Sequence, residues 1–273
     1  MSDALIWAAL EEDAAFRDVT TLATVSAGAQ ARASLRARQA GVVAGVDCVR
    51  AIFQTLDPAC RIEIVTNDGA TVAAADTVLV VSGPARAVLS AERVALNFIQ
   101  RLSGIATLTA RYVDAVRGTR ARILDTRKTT PGWRALEKAA VLAGGGTNHR
   151  MDLASASLIK DNHLLAVGGD VARAVALVRA ALPAGAEVEV EADTIEQVQQ
   201  ALAAGAERIL LDNMSLDAMR ACVALVAGRA RLEASGGVNL TTVRAIAETG
   251  VDDISVGALT HSAPALDLGL DFD

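Results

Sequence analysis

Over QARASLRARQ (30–39), small apolar Ala31, Ala33, Leu35 and Ala37 alternate with Arg32, Ser34, Arg36 and Arg38. A period of two with one polar face marks a half-exposed strand. CRIEIVT (60–66), the turn NDG (67–69) and DTVLVVSG (76–83) predict further strands, with DCVRAIFQTL (47–56) as a helix between them. The stretch 90–118 reads as helix, with Ser90 as N-cap, Glu92 in the first turn and Gly104 as a candidate break. This first part is a small α+β unit.

From residue 120 the pattern changes to short apolar runs alternating with amphipathic helices. The runs are ARILD (121–125), ASLIKD (156–161), EVEVEA (187–192), RILLDN (208–213), RLEASGG (231–237) and DISVGA (253–258), with a further one expected near GGGTNHR (144–150). Helices fit at 169–182, 194–205 and 240–250. Repeated β–α units imply a parallel sheet. The runs are too few for a closed eight-stranded barrel, so an incomplete barrel or an open doubly wound sheet is expected. The run ends favour the barrel. Thr126-Arg127-Lys128, Lys160-Asp161, Glu189 to Glu191, Asp212-Asn213, Ser235-Gly236-Gly237 and Val256-Gly257-Ala258 put charged or glycine-rich groups at strand C-termini, the functional face of α/β barrels.

Composition narrows the class. Hydrophobic residues make up 52% and aromatic ones 3%, so Ala, Val, Leu and Ile build the core. No apolar stretch approaches the ~18 residues that cross a bilayer, and MSDALIWAALEEDAAF lacks the basic start of a signal peptide. A soluble, cytoplasmic protein is expected. Cys48, Cys60 and Cys222 are scattered and odd in number, which suits neither a disulfide framework nor a zinc site. A net charge of −6 argues against nucleic-acid partners, so any basic site is local.

DTRKTTPG (125–132) is such a place: Arg127 and Lys128 stand at a strand end before a Pro-Gly stop. It is either a solvated basic loop or a seat for an anion. In EVEVEA, alternation sets Glu187, Glu189 and Glu191 on one face and Val188 and Val190 on the other. Buried carboxylates need cations, supplied by internal Lys and Arg alone or joined by a ribose or a metal. SGGVN (235–239) follows a strand and opens a helix, where bare backbone N–H groups would seat a phosphate. SVGALTH (255–261) repeats the arrangement. NHR (148–150) and LIKDNH (158–163) bring His149, Arg150, Lys160 and His163 to the same face. Lys160 could be a Schiff-base lysine, but Arg127, Lys128 and Arg150 around it suit an anion clamp better.

RDVTT, ERVALNFIQRLSGIAT (92–107), DTRKTTPG with RALEK, AGGGTNHR, LIKDNH, EVEVE, ILLDN, SGG and VGALTH closely resemble, in order and spacing, the quinolinate phosphoribosyltransferases. The resemblance spans about residues 5 to 272. It implies an N-terminal α/β sandwich domain over 1–103 and an open, incomplete α/β barrel over 104–259 that carries the active site. A tail over about 260–273 would pack back on the first domain, and the assembly would be a homodimer or a hexamer of dimers. It also implies the reaction of quinolinate with phosphoribosyl pyrophosphate to nicotinate mononucleotide, pyrophosphate and carbon dioxide, with magnesium. Arg127, His149, Arg150 and Lys160 match the quinolinate site, completed by Arg93 of a neighbouring subunit, and Thr126 is a further substrate-binding position. Lys128, Glu189 and Asp212 match the phosphoribosyl pyrophosphate and catalytic positions, where Glu189 and Asp212 would hold magnesium directly or through water. The backbone at Ser235, Gly236, Gly237, Val256, Gly257 and Ala258 matches the 5′-phosphate loops.

Three places depart from the family pattern: Arg17 for a usual Gly, Asp152 and Ser155 for a Gly and an Asp, and Trp133 for a smaller apolar residue. A related branch associated with molybdenum transport shares DTRKTTPG, but LIKDNH favours the quinolinate enzymes. A non-catalytic phosphosugar-binding barrel would explain SGG and VGA but not the surplus of arginines.

Overall fold

In the computed structural model, which describes residues 3–183 and 185–273, the chain falls into two units. The first comprises Met1–Ala110, Thr129–Gly145 and Leu259–Asp273; the second comprises Arg111–Lys128 and Gly146–Ala258.

In the first unit the alternating stretch forms β1 (Gln30–Ala37), followed by β2 (Gly41–Val42), β3 (Arg61–Ile64), β4 (Thr71–Val72) and β5 (Thr77–Pro84). The C-terminal strand Leu268–Phe272 pairs with β1, giving an antiparallel sheet ordered C-terminal strand, β1, β5, β3. Leu35 stands between Leu79 and Leu270. Ala33, Leu35, Ala37, Leu79 and Val81 are buried, so the period of two does mark a core face. β2 and β4 form a separate ladder of two residues each, too short to leave a periodic signal. The helices are α1 (Asp3–Glu12), α2 (Val19–Thr24), α3 (Val46–Leu56), α4 (Ala85–Ala115) and α5 (Arg134–Ala143). α3 buries Cys48, Val49, Ile52 and Phe53 at helical spacing.

α4 neither starts at Ser90 nor breaks at Gly104. Ser90 lies inside the helix, and its hydroxyl donates to Asp18 at 2.9 Å; Asp18 in turn caps α2 by accepting from the Thr21 N–H at 3.0 Å. Gly104 is a contact point instead. A Cβ there would lie 2.1 Å from the Pro264 carbonyl oxygen, so only glycine lets the C-terminal segment cross the helix. Trp133 has its own partner, stacking on Phe98 with ring centroids 4.3 Å apart.

The second unit is an open α/β barrel. β6 (Arg122–Leu124), β7 (Glu189–Ala192), β8 (Arg208–Asp212), β9 (Arg231–Ser235) and β10 (Asp253–Ser255) form a parallel sheet ordered β6, β10, β9, β8, β7. The helices α6 (Asp161–Ala166), α7 (Val171–Ala181), α8 (Ile195–Ala203), α9 (Leu216–Val226) and α10 (Val243–Ala247) lie along the chain between strands. Thr194 and Gln197 form a capping box on α8, and Ser215 caps α9. The runs near 144–150 and 156–161 contribute one bridge each: Thr147 beside Leu124, and Ile159 beside Val190. Ile123, Val190, Ile209, Leu211, Leu232, Ala234 and Ile254 alternate onto one face and are buried. Among the described residues no helix is long and apolar enough to cross a membrane.

Candidate active site

The opposite face of the parallel sheet is polar, and strand register arranges it in rows. Glu189 stands beside Arg208 and Arg231. Two residues further along, Glu191, Leu210, Glu233, Asp253 and Arg122 form the next row. Asp212 and Ser235 pair in a third. Ordinary barrels fill these layers with branched apolar side chains; this one holds an ionic lattice. Asp253, fully buried, accepts from Arg122 at 2.8 Å, Arg208 at 3.0 Å and Arg231 at 2.9 Å. Glu233, also buried, accepts from Arg208 at 2.8 Å and from the Ser255 hydroxyl.

His149 joins this lattice to the cleft above it. Its backbone N–H donates to buried Asp125 at 2.9 Å, and its Nε2 lies 3.1 Å from Glu189 and 3.3 Å from Glu233. Burial works against an imidazolium, but the carboxylates of Glu189 and Glu233 outweigh it and push the His149 pKa up to about 9. One contact opposes the second proton: the Arg150 N–H approaches Nδ1 at 2.7 Å and needs a lone pair there. The Nε2 proton is common to both states, so the donor toward the two carboxylates is fixed. Burial raises Glu233, yet His149, Ser255 and Arg208 together hold it down at about 2. Glu189 moves up, because burial dominates and the Glu233 charge adds to it.

The cleft has a volume of about 680 Å³ and is lined by the basic residues Arg127, Lys128, His149, Arg150 and Lys160 with Thr126, and by Glu191, Asp212, Asn213, Ser235, Gly236 and Gly237. Burial first, and then the neighbouring Arg127 charge, pull the Arg150 pKa below its ordinary value. Two neighbouring guanidiniums that repel each other in a cleft are arranged for an anion. Lys160 Nζ meets Glu191 at 3.0 Å. Gly236 and Gly237 take φ of 92° and 61°, left-handed conformations that glycine adopts freely. The turn leads into a loop rather than a helix, since α10 begins only at Val243 and Asn239 organises the intervening turn.

Most of the sequence-derived residues therefore share one cleft. Glu189 sits behind it, among the lining residues of a smaller cavity with Arg122, Asn148 and Arg208. Val256, Gly257 and Ala258 are not among the cleft-lining residues, although Ser255 just before them is. Arg93 belongs to the first unit and is exposed on α4. Glu187, at the entry to β7, is exposed and 3.9 Å from Arg208. The structure adds Glu191, Asn213, Glu233 and Ser255 to the site. Asp152 and Ser155 serve each other: the Asp152 carboxylate accepts from the backbone N–H of Ser155 at 2.7 Å and of Ala154 at 2.9 Å. Nothing in the structure explains Arg17, whose guanidinium meets Glu11 at the surface.

The donor set fits magnesium. This ion takes one or two carboxylates and leaves its other positions to water and substrate phosphates, and Glu191 and Asp212 offer carboxylates on the cleft wall. Glu189 and Asp212 lie two rows apart, roughly 13 Å along the strands, so they do not share direct coordination of one ion.

Quinolinate phosphoribosyl transferase domain models match residues 18–103 (N-terminal domain) and 105–271 (C-terminal domain). A nicotinate-nucleotide pyrophosphorylase [carboxylating] of Mycobacterium leprae is 46% identical over 269 residues, covering 96% of this chain and 94% of the relative. The chloroplastic protein of that name from Arabidopsis thaliana is 44% identical, covering 99% and 82%. The crystal structure of NadC from Streptococcus pyogenes superposes with a TM-score of 0.94 at 43% identity, covering 99% of this chain and 96% of that one. With both of its domains matched and a relative 46% identical over 94% of that relative's length, the chain belongs to the quinolinate phosphoribosyltransferase family.

Proposed function

We infer that the protein transfers the phosphoribosyl group of phosphoribosyl pyrophosphate to quinolinate with loss of carbon dioxide, giving nicotinate mononucleotide and pyrophosphate. The observation that carries this reading is that Arg127, Arg150, Lys128 and Lys160 line one cleft together with the Ser235–Gly237 turn. Quinolinate has two adjacent carboxylates, and planar guanidinium forks grip such groups through paired hydrogen bonds. The backbone N–H groups of the glycine turn suit the 5′-phosphate, and Lys128 meets the departing pyrophosphate. As the pyridine nitrogen attacks the anomeric carbon, positive charge develops on the ribose. Asp212 and Glu191, with Glu189 behind them, supply the compensating negative field. The C–C bond to the neighbouring carboxylate then breaks; its electron pair stays on the ring carbon, stabilised by the new pyridinium, and a proton takes the vacated position. Magnesium, when bound, neutralises pyrophosphate charge; Asp212 and Glu191 would hold it, and Glu189 would reach it only through water.

Product analysis tests the assignment. Quinolinate should yield nicotinate mononucleotide and carbon dioxide, whereas nicotinate, which lacks the departing carboxylate, should not turn over. Comparable rates with both acids would reject the reading.

The same reading extends to a cytoplasmic homodimer, alone or as the unit of a hexamer, in which Arg93 completes the partner's quinolinate pocket. In a two-fold dimer each chain lends one Arg93 and receives one. Inactive Arg93→Ala and Lys160→Ala homodimers, mixed under subunit exchange, should regain ~25% of wild-type activity, because half the dimers would hold one intact site. Exchange without recovery would place Arg93 outside the partner's site.

A further inference from the structure

Asn213 occupies an unusual position. It ends the β8 run with φ of 53°, a left-handed conformation that costs most residues energy and that asparagine and aspartate tolerate best after glycine. Its backbone N–H donates to the Ser235 carbonyl at 2.9 Å. Its side-chain Nδ2 donates to Asp212 Oδ2 at 2.7 Å. A Cβ on Gly236 would lie 2.1 Å from Asn213 Oδ1 and 2.4 Å from its Cγ, so the amide rests directly against the glycine backbone. Asn213 itself lines the cleft.

We propose that Asn213 is a positioning residue that braces the Asp212 carboxylate against the Ser235–Gly237 turn, holding the acidic wall and the phosphate-binding wall of the cleft at one fixed spacing. Three requirements meet at this position: a left-handed backbone, a donor for a carboxylate, and a flat group thin enough to lie on Gly236. Glycine meets the first alone. Aspartate meets the first and third but turns a donor into a second carboxylate. Asparagine meets all three. The hydrogen bond occupies Asp212 Oδ2 and fixes the rotamer of the carboxylate, which aims Oδ1.

The ligand named here, phosphoribosyl pyrophosphate, rests on the phosphoribosyl-transfer reading. The test compares wild type with Asn213→Gly and Asn213→Asp, both of which keep the backbone conformation. Calorimetric titration with phosphoribosyl pyrophosphate in magnesium buffer gives Kd directly, and initial rates give a separate KM for each substrate. Loss of one charge-assisted hydrogen bond should raise Kd about ten-fold in Asn213→Gly. Carboxylate repulsion should raise it about a hundred-fold in Asn213→Asp, with the quinolinate KM within about two-fold of wild type in both. Wild-type affinity in Asn213→Gly would overturn the proposal. So would a parallel rise in both KM values with a lowered Tm, the pattern of a merely structural residue. A wild type that does not bind phosphoribosyl pyrophosphate would overturn the phosphoribosyl-transfer reading, and this proposal with it.

Discussion

Arg150→Lys is expected to lower kcat/KM for quinolinate by ~30- to 5,000-fold, the kinetic equivalent of the ~2–5 kcal/mol lost when one partner of a desolvated charge pair is removed. Arg127→Lys should fall in the same range. Lysine keeps the charge but not the fork, so one carboxylate oxygen loses its partner. The fold should survive. Arg150 lines the cleft, and burial and the adjacent Arg127 pull its pKa down more strongly than Glu189 raises it. Initial rates with quinolinate varied, together with a melting curve, check the claim. A variant with near wild-type kcat/KM would show that its arginine does not grip the substrate.

Asp253→Ala should have the largest effect on stability. This carboxylate is fully buried and takes hydrogen bonds from Arg122, Arg208 and Arg231. Removing one member of a buried ionic cluster costs about 3–5 kcal/mol, because the remaining charges stay desolvated. For a chain of this size that corresponds to a fall in Tm of roughly 10 °C. Arg231→Ala should cost far less: its side chain is 39% exposed, and two arginines remain around the aspartate. Thermal melts of both variants give the comparison, and a Tm for Asp253→Ala within 2 °C of wild type would mean that the lattice does not hold the barrel.

Much of the second unit was legible because its strand ends carry chemistry. DTRK, NHR and LIKD supply the basic residues that line the cleft, and LLDN and SGG its acidic and glycine-rich ones. Alternation in EVEVEA signalled the inward carboxylates Glu189 and Glu191, but not the exposure of Glu187 or the depth of the other two, which depends on register with β8. That register puts Glu191 on the cleft wall and Glu189 a row beneath, against His149. The same alternation was present in RILLD, RLEAS and DIS, where it would have revealed Arg208, Glu233, Asp253 and Ser255. A polar inner face reads as a solvent face when each strand is considered alone. In the first unit, Gly104 shows the opposite limit. A helix-breaking residue and a contact glycine look identical until the segment that crosses it is known, and that segment lies 160 residues later, at Pro264.

The rims of the parallel sheet carry a last consequence, for behaviour in concentrated solution. An unclosed barrel leaves two edges, and an edge with a row of unpaired N–H and C=O groups invites pairing with another chain. Here each outermost position is a single residue of ladder, Thr147 on one side and Ile159 on the other. One residue offers too little template for a foreign strand to add in register. The barrel can therefore stay incomplete without becoming a seed for sheet-to-sheet polymerisation. The chain between those rims, residues 148–158, contains His149 and Arg150, so lengthening either rim strand would take backbone from a segment that lines the cleft.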